Sequence, residues 1–180
     1  MDELIDILDS DGNFTGESCL KSVAHKKGLY HATTHVWFYT KNQQILLQKR
    51  ASTKKVFPNL WDVSVAGHIA AGEDIKNAAI REVGEEIGLK ISKNELIKIG
   101  IRQHKIAHPN GILDCEFKHI FACRLATPLS ELSRQISEVD AIKLFKLGIL
   151  KNSSKHGNYM VPNIHKYYDF VFKEISKLLC

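Results

Sequence analysis

With 180 residues, 44% of them hydrophobic and 25% charged, the chain has the length and composition of one globular domain with a real core. No apolar run approaches the roughly 20 residues that cross a bilayer, and four cysteines (Cys19, Cys115, Cys123, Cys180) without a C-x-x-C pair exclude a disulfide scaffold. The net charge of +5 is spread along the chain without a basic strip interleaved with aromatics, which argues against a nucleic-acid partner and suits capture of small anions.

The first residues, MDELIDILDSDGN, are acidic and lack the features of a secretion signal. Cytoplasmic localisation and reduced thiols are therefore expected, and Cys180 is not expected to open a prenylation box. Cys115 and Cys123 are expected to pack in or beside a strand.

Glu3–Leu8 alternates in part, and Asp11-Gly12-Asn13 is a turn signal, so an N-terminal hairpin is expected. Asp9, Asp11 and Asn13 have a calcium-loop flavour, but Gly12 is misplaced and the distal glutamate is missing. Thr33–Tyr39 and Gln44–Gln48 read as strands joined at Lys41-Asn42-Gln43. Ala51–Pro58 is a basic loop, and Trp61–Val65 reads as one further strand leading into a glycine loop.

Next comes GHIAAGEDIKNAAIREVGEEIGL, residues 67–89. Glu73 and Asp74 supply a carboxylate or cap at a helix start. Ile75, Ala78, Ala79, Val83 and Ile87 form an apolar stripe that leaves the acidic face open, and Gly88 is a left-handed stop. Gly67 and Gly72 are placed in the preceding loop, and Gly84 costs about 1 kcal/mol relative to Ala. Glu82, Glu85 and Glu86 share one face with β-carbons about 5–6 Å apart. Like charges at that spacing repel, and hard divalent metals prefer carboxylate oxygens, so this face calls for a cation.

Downstream, Glu95–Arg102 and Cys115–Leu125 read as strands separated by breakers at His108-Pro109-Asn110-Gly111. Pro128–Leu132 begins a loop, and Ser137–Leu150 mixes strand and helix character. Ile164, Tyr167, Tyr168, Val171, Ile175 and Leu178 fall at helical spacing in the tail from Pro162 to Leu179, with Asn163 as candidate cap. Strands around a central helix, with a terminal helix, suit an α/β/α sandwich around a mixed β-sheet.

Residues 67–89 resemble the Nudix signature G-x5-E-x7-R-E-U-x-E-E-x-G-U, where U is a bulky aliphatic residue. Gly67, Glu73, Arg81, Glu82, Val83, Glu85, Glu86, Gly88 and Leu89 fill every specified position. The resemblance implies a single Nudix-type domain over residues 1–180 that hydrolyses a small-molecule diphosphate with magnesium, manganese being the alternative ion. By that resemblance Glu82, Glu85 and Glu86 hold metal, joined by the Gly67 carbonyl, while Glu73 and Arg81 orient them. The general base is left open among the helix glutamates and Glu116.

A wider stretch, from about residue 3 to residue 125, resembles the Nudix subgroup that includes isopentenyl-diphosphate isomerase. It is carried by Ala24-His25 with His31, Lys49–Lys55, Phe57-Pro58-x-x-Trp61, Gly67-His68 and Asp114-x-Glu116. That likeness makes His25, His31, His68, Asp114 and Glu116 counterparts of a metal site, and Lys21, Arg50 and Lys54 counterparts of diphosphate-gripping residues. Two departures favour hydrolysis over isomerisation: Ala66 stands where the isomerases carry a catalytic cysteine, and the box is complete here. The sequence leaves open an isomerase, a non-enzymatic ligand sensor on the same scaffold, a homodimer, and the group attached to the diphosphate. Trp37, Phe57, Trp61 and Tyr159 are candidates to stack on a base, although aromatics of this kind are more often core.

Overall fold

The computed structural model describes residues 2–153, 160–162 and 165–179. Strands β1 (Leu4–Leu8) and β2 (Phe14–Leu20) form the expected hairpin. The Asp9 carboxylate accepts the N–H groups of Asp11 and Asn13, the local bonding that favours Asp in turns. A short helix, α1 (Lys21–Lys27), follows and ends at Gly28 with φ 64°; nothing in the apolar spacing announces it.

Strand β3 (Tyr30–Tyr39) is the hub. Strand β8 (Leu113–Arg124) runs parallel to it from His31 to Tyr39, while β1 and β4 (Gln44–Arg50) join its two ends antiparallel. Strand β7 (Ile97–Ala107) pairs antiparallel with β8, and β9 (Val139–Lys146) with β4. The sheet is therefore mixed. Strand β7 starts later than the pattern implies because Ser92 and Glu95 close a reciprocal cap around a 3-10 turn at Lys93–Glu95. The breakers at His108–Gly111 form the turn into β8.

The single strand expected over Trp61–Val65 is two. Strand β5 (Trp61–Asp62) pairs with β4, whereas β6 (Val65–His68) pairs with β3. Between them, Ser64 Oγ accepts the Phe38 N–H and donates to the Leu46 carbonyl, tying β3 to β4 where they part. Gly67 consequently lies in a strand rather than in a loop.

Alternation along the strands assigns the layers, since successive side chains point to opposite faces. Val36, Phe38, Leu46 and Phe121 pack on α2 (Ile75–Ile87) through Ala79, Val83 and Ile87. Trp37, Tyr39, Ile45, Leu47, Ile120 and Ala122 pack on α4 (His165–Leu178) through Tyr168, Val171, Phe172 and Ile175. The result is the expected α/β/α sandwich. Helix α3 (Leu147–Ser153) follows β9 and supplies Leu150 to the α4 side. Cys115 and Cys123 are buried in β8.

Leu178, assigned to the buried stripe by its spacing, is 38% exposed, because it lies in the last turn, beyond the reach of the sheet. Tyr159, Asn163, Ile164 and Cys180 lie outside the described residues. No helix among the described residues is long and apolar enough to cross a membrane.

Phe172 sits edge-on to Trp37 and stacks on Tyr168 with ring centroids 5.7 and 6.0 Å away. Phe172→Ala is expected to lower stability by about 3–5 kcal/mol, read as a lower urea midpoint with an unchanged slope.

Candidate functional site

Helix α2 begins where the Asp74 side chain accepts the Asn77 N–H at 3.1 Å and stops at Gly88, φ 66°. With its apolar stripe seated on the sheet, the helix turns two glutamates inward. Glu82 and Glu86 are 7% and 5% exposed, so the acidic face is not the open one expected. Only Glu85 is exposed. The spacing places all three on one side, but that side flanks β6, and β6 covers it. A β-carbon at Gly67 would fall on the Glu82 carboxylate, which gives the glycine a steric reason. Glu86 Oε2 accepts bonds from Gln48 Nε2 at 3.0 Å and the Ala66 N–H at 3.3 Å.

Arg81 answers the repulsion within the protein. Its Nε and Nη2 fork onto Glu73 at 3.0 and 2.9 Å, and Nη2 also reaches the His68 carbonyl at 3.0 Å. Nη1 donates to Glu82 at 2.8 Å and to Glu85 at 3.2 Å. Arg81 lowers the Glu73 carboxyl below its ordinary value. One cation is not enough for the rest. Burial raises Glu82, against the pull of Arg81, and burial with the Glu82 charge raises Glu86 to about 8. Buried carboxylate oxygens short of positive charge are a donor set that fits a hard divalent cation.

These groups open onto a cavity of 780 Å³. Gly67, Glu82, Glu85, Glu86, Glu116, Lys21, Arg50 and Lys54 all line it, whereas Arg81 and Glu73 stand outside its wall. The three basic side chains already have partners. Lys21 pairs with Glu3 at 2.6 Å and Lys54 with Glu138. Arg50 donates to the Val56 carbonyl at 3.0 and 2.9 Å and lies 3.6 Å from Asp62. Arg50 thus braces the 51–60 loop while facing the cavity. Trp37 is wholly buried core and Trp61 packs on Phe145 at 5.1 Å; of the stacking candidates described, Phe57 alone lines the cavity.

A second cluster joins His25 from α1, His31 from β3 and His68 from β6, with ligand nitrogens within 4.8 Å of one another. His31 Nδ1 faces the Leu29 carbonyl at 2.9 Å and therefore carries the proton; its buried Nε2 has no partner among the described residues. His25 and His68 approach through their Nε2 atoms at 3.3 Å. Glu116 is the register neighbour of His31 on β8. Burial would raise its carboxyl, yet Lys118 at 3.3 Å and the surrounding histidines hold it well below the usual range. Asp114 is bound to His108 at 2.7 Å and lies 3.8 Å from His25. Three imidazoles around an orphaned nitrogen suit a transition metal better than magnesium.

His35, Lys118, Thr33 and His104 also line the cavity, and sequence motifs did not point to them. The period of two on β3 and β8 was the available signal, since His31, Thr33 and His35 share a face, as do Glu116 and Lys118.

The sequence profile described as the NUDIX domain matches residues 29–164. The chain is 35% identical over 182 residues to Nudix hydrolase 3 of Arabidopsis thaliana, covering 98% of this chain but only 24% of that much longer protein. It is 32% identical over 155 residues to isopentenyl-diphosphate Delta-isomerase 2 of Photorhabdus laumondii, covering 86% of this chain and 85% of the relative. In fold it is similar to the DR0079 protein of Deinococcus radiodurans, with a TM-score of 0.69 and 17% identity over 92% of this chain and 97% of that one.

The raised Glu86 carboxyl has a thermodynamic consequence. Between its ordinary 4.5 and about 8, the metal-free fold holds a proton that the unfolded chain has lost, so stability falls as pH rises through that window. The buried neutral histidines, such as His35 at about 3, act oppositely below their ordinary 6.5. Comparing wild type with Glu86→Gln isolates the carboxylate. In EDTA, the difference in melting temperature is expected to shift in favour of the variant from pH 5 to 8, and magnesium is expected to flatten the wild-type trend.

Proposed function

Because the chain belongs to the Nudix family, we propose that it is a metal-dependent pyrophosphohydrolase that cleaves the diphosphate linkage of a small molecule, a nucleoside diphosphate derivative. The observation that carries this reading is the pair of buried carboxylates, Glu82 and Glu86, set with Glu85 against a strand whose Gly67 leaves them room.

Magnesium or manganese, when bound, supplies neutralisation of the diphosphate charge. The protein's own groups do the rest. Arg81 and Glu73 hold the helix glutamates in place from behind, and Lys21, Arg50 and Lys54, which line the same cavity, present positive charge to phosphate oxygens. Lys21 and Lys54 have to exchange Glu3 and Glu138 for the substrate to do so. Water adds to one phosphorus as the bridging P–O bond breaks, and its proton passes to a helix carboxylate. Glu116, already engaged by Lys118, is the less available acceptor.

The histidine cluster and the isomerase relative support a second reading, isomerisation of isopentenyl diphosphate to its allylic isomer. Ala66 weighs against it, since a methyl group carries no proton to the carbon skeleton.

A panel of diphosphates with magnesium and with manganese, read by phosphate or nucleotide release, tests the proposal. Turnover is expected to need the ion and to stop with EDTA. Glu85→Gln is expected to lower it by about 10²-fold or more with an unchanged melting curve; near-wild-type rates in that variant would sink the metal assignment. Conversion of isopentenyl diphosphate to its allylic isomer would overturn the hydrolase reading.

A further inference from the structure

The sheet face that forms the cavity floor changes character along β3. His31 and Thr33 are polar, Trp37 is core beneath α4, and His35 stands at the border. Its neighbours across the sheet are Ala66 on β6 and Ile120 on β8. Tyr167, reaching down from α4, decides its chemistry. Trp37 Nε1 donates to the Tyr167 hydroxyl oxygen at 2.9 Å, and that oxygen lies 2.6 Å from His35 Nδ1. Burial holds the Tyr167 hydroxyl well above its ordinary value, so it keeps its proton. Among the described residues, the acceptor for that proton is His35 Nδ1. Nδ1 is therefore bare, and the hydrogen of the neutral ring sits on Nε2.

His35 Nε2 has no protein partner among the described residues, and the ring lines the cavity. Thr33, one pleat away on the same face, is 3% exposed, lines the same cavity, and its hydroxyl is buried without a partner among the described residues. The unpartnered Thr33 hydroxyl is buried, and beside it the open His35 N–H, on a residue 7% exposed, offers a donor to whatever enters the cavity. Polar groups of this kind favour a ligand that satisfies them. Lys118, in register with Thr33, adds positive charge beside them. A hydrocarbon placed on this floor would leave the His35 N–H and the Thr33 hydroxyl without a partner, whereas Lys118 keeps Glu116 at 3.3 Å.

We propose that His35, locked as a hydrogen-bond donor by the Trp37–Tyr167 relay, and Thr33 read an oxygen-rich group on the substrate, so that the cavity selects diphosphates of sugars or nucleosides over diphosphates of hydrocarbon alcohols. His35 is a specificity residue that touches substrate; Tyr167 is a positioning residue that acts through it. The inference rests on the hydrolase reading for the diphosphate and the class of its partner group, and it adds the residues that read that group. It also gives Ala66 a meaning: the small side chain opposite His35 leaves room for the group that His35 contacts.

Calorimetric binding with magnesium, in a Glu85→Gln background that suppresses turnover, tests it with ADP-ribose and geranyl diphosphate as probes. The parent protein is expected to prefer ADP-ribose. His35→Leu is expected to weaken ADP-ribose about tenfold and to leave geranyl diphosphate unchanged or tighter, with His35→Gln, which keeps an N–H, recovering part of the loss. Tyr167→Phe, which removes the relay while retaining the ring, is expected to cut the preference in the same direction and serves if His35→Leu does not fold. Equal losses for both probes, no loss, or no binding of ADP-ribose by the parent would overturn the proposal. Failure of the hydrolase reading shows separately, as absent diphosphate turnover in the chain with Glu85 intact.

Discussion

Arg81 distributes five hydrogen bonds over Glu73, Glu82, Glu85 and the His68 carbonyl, and the site is organised around that guanidinium. Through Glu73 and the His68 carbonyl it fixes the chain between β6 and α2; through Glu82 and Glu85 it holds the helix carboxylates apart in one geometry. A lysine would offer a point charge without the fork that makes this arrangement possible. The same contacts leave the Glu86 carboxylate without a cation, bonded among the described residues to Gln48 and the Ala66 amide. The site is thus held in place by one internal charge and still lacks positive charge, the condition under which metal binding and proton release are linked.

The cavity exists because β3 and β4 part. They pair only at Tyr39 and Ile45, and beyond that point the chain from Trp61 to His68 crosses from one to the other, pinned by Ser64. The crossing brings Gly67 under α2 and leaves the faces of β3 and β8 uncovered between the hairpin end and α4. Function and fold are here the same feature. A sheet continuous from β4 to β8 would have filled this space with side chains, as it does beneath Trp37 and Phe172.

The relationship to the isomerase reading becomes concrete at this floor. Histidines from three separate elements converge as the isomerase likeness implies, with Glu116 beside them. Yet the position that would carry proton-transfer chemistry is a methyl group, and across from it stands a neutral imidazole held in one tautomer by an aromatic relay. The family scaffold is shared, and the floor of the cavity is where chemistry and selectivity can diverge.

The sequence alone determined the motif helix, its caps, the identity of its carboxylates and the α/β/α layering, because these depend on local periodicity and on residues close together in the chain. It placed Lys21, Arg50, Lys54, His25, His31, His68, Asp114 and Glu116 as candidates through resemblance. Only tertiary structure decided that Glu82 and Glu86 are buried, since their exposure depends on β6, a strand that spacing had merged with β5. Only tertiary structure showed the basic residues paired with Glu3, Asp62 and Glu138, and joined Trp37 to Tyr167 and His35, because those contacts span up to 132 positions in the chain. Periodicity can say which face a side chain takes; what meets it on that face is settled by the packing of α4 over the sheet.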